Sequence, residues 1–126
     1  RRPNVEGTAI RSLSAIAKAQ EKFREADIAS GGSGVFTSLP RLEAAKVLEP
    51  LAGSAAYTFE SHASTSEPQY FFWAMARPAT TAPYKRVFFI NQVGVVYYAA
   101  TDDAAANLRP DPKTCAPPPG WIPVGK

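Results

Sequence analysis

Cysteine is all but missing from this chain. Cys115 stands alone, so no internal disulfide and no multi-cysteine metal site can form, and the one pairing left to it is intermolecular, in an oxidising compartment. Histidine is as scarce, with His62 the single example. No apolar run approaches the ~18 to 20 residues that span a bilayer. Neither sign of charge dominates: 14 Lys and Arg are scattered among 11 Asp and Glu for a net charge of +3. That leaves no long basic block of the kind that marks a nucleic-acid or lipid surface. The glycine cluster Gly31-Gly32-Ser33-Gly34 lacks the Lys-Ser/Thr ending of a phosphate loop and reads as a flexible turn. An initiator Met is missing too. The chain opens Arg1-Arg2-Pro3, and the expectation is an upstream segment lost by processing or truncation.

What is present suits a single domain. With 126 residues, 45% of them hydrophobic, the chain has enough apolar surface for an ordinary core. Its parts are expected in the order 1–28 amphipathic helix, 29–55 connection with a short helix, 56–100 antiparallel sheet and 101–126 Pro-rich tail.

The helical pattern runs over residues 3–28 and organises the rest. Pro3 suits a first turn, Asn4 is a capping residue, and no other proline follows until the glycine cluster at 31–34. At 100° per residue, Val5, Ala9, Ile10, Leu13, Ile16, Ala17, Gln20, Phe23 and Ile28 share one broad arc, which predicts the core face. The opposite side divides into a charged strip, Arg11, Lys18, Glu21, Lys22 and Glu25, and a strip of small residues, Ser12, Ala15, Ala19 and Ala26. Small side chains allow close approach of another backbone. The helix is therefore expected to touch its own domain on one side and a neighbour on the other.

After Gly34 an apolar return leads to Ser38, placed to cap a short helix over about 40–48 that Pro50 ends. The period then changes to alternation. Strands are predicted over 56–61, 70–76, 85–91 and 95–99, with Asn91-Gln92-Val93-Gly94 as a tight hairpin turn. Short connections make these four an antiparallel meander, and the helix is expected to lie across it in an α+β arrangement. Half of the twelve prolines fall from Pro110 onward, so the tail is expected to run extended, pinned by Trp121 and Ile122. The second and third strands are bulky on both faces, so the outer surface of the sheet needs a cover from the tail or from another subunit.

Several residue groups suggest chemistry, and each has a plainer reading beside it. His62 with Ser61 or Ser64 and a distant Asp can be drawn as a nucleophilic triad, but so can similar sets in most sequences, and no catalytic residue is expected. Asp102 and Asp103 offer oxygens of the type Ca²⁺ uses and are the metal candidates. Adjacent acids in a turn are more simply solvated, and no other cofactor is expected. Tyr70, Phe71, Phe72 and Trp73 beside Lys85 and Arg86 resemble a base-stacking surface for DNA, although alternating aromatics in a sheet usually form core.

Taken together, the run Ala9-Ile10-Arg11-Ser12-Leu13, Ile16, Ala19-Gln20 and Phe23, then Gly34-Val35-Phe36-Thr37-Ser38-Leu39, Leu42, Tyr57-Thr58-Phe59, Ala76-Arg77-Pro78 and the stretch Arg86-Val87-Phe88-Phe89-Ile90-Asn91-Gln92-Val93-Gly94-Val95-Val96-Tyr97, resembles the type IV pilin superfamily, including type II secretion pseudopilins. The likeness covers most of the chain. It implies an α+β head on the outer half of a longer helix, whose apolar half anchors the subunit in the inner membrane and then lines a filament at the bacterial surface or in the periplasm. The family's aromatic first residue, long apolar run and acidic residue are not in this sequence, and neither is the C-terminal cysteine pair of many pilins.

The resemblance implies a structural subunit that assembles with other pilin subunits, with Ser12, Ala15 and Ala19 as the expected interface. An alternative is a minor-pilin binding module that recognises DNA, a surface or a secreted substrate through the strand loops and tail, with Lys85 and Arg86 as the ligand surface.

Overall fold

The computed structural model describes residues 5–48, 57–78, 86–100 and 109–124. A long helix, α1 (Val5–Ala29), is followed by a short one, α2 (Leu39–Ala44), and then by strands β1 (Tyr57–Ala63), β2 (Phe72–Pro78), β3 (Arg86–Asn91), β4 (Tyr97–Ala100) and β5 (Ile122–Pro123). The strands pair antiparallel in the order β1-β2-β3-β4-β5. Helix α1 packs on β2 and β3. The architecture is the α+β one expected, with five strands among the described residues in place of the four predicted.

The additional strand comes from the tail. Ile122 pairs with Tyr98 and Pro123 with Tyr97, and the Val124 amide donates to the Val96 carbonyl at 2.7 Å. A Pro-rich segment shows no strand signal by pattern, because each proline removes a ladder donor and only an edge tolerates it. At the edge of β4 the tail forms a strand of two residues, Ile122–Pro123.

Pro3 and Asn4, the expected start of α1, lie outside the described residues. At the far end Gly31 takes φ +96°, its amide donates to the Ile28 carbonyl at 3.0 Å, and the Gly32 amide donates to Asp27 at 2.8 Å. This pair of bonds closes the last turn around a left-handed residue, which glycine adopts without steric cost.

The buried side of α1 is rotated from the expected arc. Ala9, Ser12, Leu13, Ile16, Ala19 and Gln20 are buried, whereas Ile10 and Ala17 are only half-buried and Ile28 is 49% exposed. Ala9, Leu13, Ile16 and Ala19 share one core with Ala74 and Ala76 of β2 and with Phe88 and Ile90 of β3. Full burial of Leu13 or Ile16 contributes roughly 1.5–3 kcal/mol each.

Helix α2 is shorter than predicted. Ser38 occupies the position before it, but its side chain makes no capping bond; its carbonyl accepts from the Arg41 and Leu42 amides, both at 3.1 Å. The helix stops at Lys46, which takes φ +60° while its amide donates to Glu43 at 3.1 Å and the Val47 amide to Leu42 at 3.4 Å. Pro50, the expected terminator, lies outside the described residues. Leu39 and Leu42 are buried beside Tyr57.

Each face of the sheet has its own core. Facing α1 are Tyr57, Phe59, Ala74, Ala76, Phe88, Ile90 and Tyr98; on the far side Trp73, Met75, Val87, Phe89 and Ala99 pack with Cys115 and Trp121 from the tail. The tail thus supplies the cover that the two-sided strands require. Phe89 lies at the centre, its ring 6.4 Å from Trp73, 6.2 Å from Tyr97 and 6.0 Å from Trp121. The β3–β4 turn closes as predicted: the Gly94 amide donates to the Asn91 carbonyl at 2.9 Å, with Gly94 at φ +88°.

Candidate functional site

The residues expected to meet a neighbouring subunit do not share one surface. Ser12 is 5% exposed and Ala19 fully buried in the domain's own core, so neither is open to a partner. Ala15 is exposed, on the same outward side as Arg11, Lys18, Lys22 and Glu25. The expected interface is corrected accordingly. The small strip divides along its length, with Ser12 and Ala19 enclosed and Ala15 and Ala26 outside. Ala15 and the flanking charges form an outward face from Arg11 to Glu25, roughly 21 Å of helix at ~1.5 Å per residue.

The aromatic stacking surface is not assembled. Phe72 and Trp73 are buried, as a core reading requires, whereas Tyr70 lies in the turn before β2 and is 62% exposed. Tyr70 adjoins the start of β2, which pairs with the Asn91 end of β3, and Arg86 lies at the opposite end of β3. A six-residue strand puts them roughly 17–20 Å apart. The Arg86 guanidinium sits 5.1 Å from the Phe88 ring and 5.0 Å from the Tyr98 ring, within cation–π range of both. Lys85, Asp102 and Asp103 lie outside the described residues. Among the described residues no group of three or more potential ligands is placed to hold a metal ion.

Neither Ser61 nor Ser64 meets His62. Alternation along β1 sends Ser61 to the helix side, where its hydroxyl donates to the Trp73 carbonyl at 3.0 Å and accepts from the Gln20 amide at 2.9 Å. Ser64 donates to the Lys113 carbonyl at 2.5 Å and accepts from the Glu67 amide at 2.9 Å. Both hydroxyl protons are committed to backbone carbonyls.

His62 instead belongs to a polar cluster on the outer sheet surface that sequence reading missed. Its Nε2 lies 3.2 Å from Glu60 Oε1, and Arg109 Nη1 reaches both Glu60 oxygens at 3.2 and 3.1 Å. The Trp73 ring lies beneath, 5.1 Å from the His62 ring and 5.6 Å from the Arg109 guanidinium. The signal available was Glu60-x-His62 on one face of a strand; Arg109 comes from 49 residues further along and leaves no local trace. Chemically the cluster ties the tail to β1. An exposed ion pair of this kind contributes about 0–1 kcal/mol.

The chain matches no protein-family model, no curated protein and no solved structure.

Two tail groups are perturbed by their surroundings. The Asp111 carboxyl is held below its ordinary range by the Lys113 and Thr114 amides that donate to it at 2.8 and 3.2 Å. Burial, together with the nearby Asp111 charge, pushes the Cys115 thiol up to about 11. A thiol so placed carries almost no thiolate near neutral pH and is chemically quiet. The Cys115 carbonyl accepts from the Asn91 side-chain amide at 2.8 Å, which fixes the tail against the end of β3. Among the described residues no helix is long and apolar enough to cross a membrane.

Proposed function

We propose that this chain is the head of a pilin-like subunit, a structural protein that assembles into a type IV pilus or a type II secretion filament. The observation that carries the reading is the disposition of α1, which buries one side on an antiparallel sheet and leaves an outward face exposed from Arg11 to Glu25. The order of helix, connection, meander and pinned tail supports it, as does the sequence resemblance. On this reading the natural protein carries an apolar continuation of α1 that anchors it in the bacterial inner membrane before assembly. Ala15, with Arg11 and Lys18 beside it, then meets neighbouring subunits.

The test uses the natural full-length gene product in its host. Replacing Ala15 with Arg is expected to abolish filaments while the separately expressed head melts as the wild type does. Normal filaments from that variant would remove Ala15 from the interface. A gene encoding neither a short basic leader nor an apolar run ahead of Arg1 would remove the pilin reading itself.

A second reading, a minor pilin that recognises a surface or a secreted substrate, is favoured by two connections at the same end of the sheet. Tyr70 before β2 is 62% exposed and Val93 between β3 and β4 is 67% exposed. Filaments that still form but lose substrate retention when Tyr70 and Val93 are both changed to Ser would support this reading over a purely structural role. DNA as the ligand gains no support from the separation of Tyr70 and Arg86.

A further inference from the structure

We draw no further inference here: the strongest candidate, the apolar surface patch where Ile28, Tyr70, Val93 and Val95 stand exposed around the last turn of α1 and the β1–β2 and β3–β4 connections, already enters the second reading above, and nothing in the structure shows what covers it.

Discussion

Gln20 reaches across the core to Ser61, its Nε2 2.9 Å from the Ser61 hydroxyl, and so couples the middle of α1 to β1. The same amide donates to the Thr37 carbonyl at 2.6 Å, and its Oε1 accepts from the Thr37 amide at 2.9 Å. One fully buried side chain therefore holds three segments together with every polar atom partnered.

Replacing Gln20 with Leu keeps roughly its volume but strips the Thr37 amide and carbonyl of their partner. A fully buried group left unpaired costs roughly 1–3 kcal/mol; Thr37 is half-buried, so urea denaturation should show a loss near the lower end of that range. In a double-mutant cycle with Ser61→Ala, coupling of roughly 0.5 kcal/mol or more is expected for groups in contact. Strictly additive effects would mean that the Gln20 to Ser61 bond does not form.

Ala15 and Ala19 should part company when enlarged. Ala19→Leu forces extra atoms into a packed helix–sheet contact and is expected to cost about 1–3 kcal/mol. Ala15→Leu, on the exposed side, should stay within about 0.5 kcal/mol of wild type. Thermal melts of the two variants decide it, and equal losses would mean that α1 is rotated from the orientation described.

Lys46 adopts a left-handed backbone at φ +60° to end α2. An L-residue with a Cβ pays roughly 1–2 kcal/mol in that region, which glycine avoids at the cost of a more flexible unfolded chain. Lys46→Gly should therefore raise the melting temperature modestly. A drop of several degrees would place Lys46 at a negative φ.

Cys115 links stability to alkaline pH. Its thiol titrates near the usual 9.0 when unfolded and is pushed up to about 11 when folded, so between those values the unfolded chain releases a proton that the native one keeps. The contribution is fully present below about 9 and is lost as pH rises through about 11. Chemical denaturation at a series of pH values should show a decline above pH 9 that is steeper in the wild type than in Cys115→Ala. Parallel declines would mean that the thiol is solvent-exposed, and so would rapid labelling of the native protein by a thiol reagent at pH 8.

Much of the fold is legible locally. The 3.6-residue period of α1, its glycine stop, the switch to alternation near Tyr57 and the Asn91 to Gly94 turn all depend on residues within a few positions of one another, and all appear where the pattern puts them. Strand limits shift by a residue or two because pairing partners, not propensity, decide where a ladder ends. The candidate site was far less legible. Ser12, Ala15 and Ala19 look alike as small residues on one helix, and only the packing of α1 on β2 and β3 decides which of them are enclosed.

By itself the sequence determined that a long amphipathic helix precedes an antiparallel meander whose strands are apolar on both sides, since side-chain periodicity and turn chemistry are local properties. Tertiary structure alone decided the rotation of that helix, the recruitment of the tail as a fifth strand and outer cover, and the meeting of Arg109 with Glu60. Each of these joins segments far apart in the chain, and such contacts form only where the shapes and hydrogen-bond groups of both partners match.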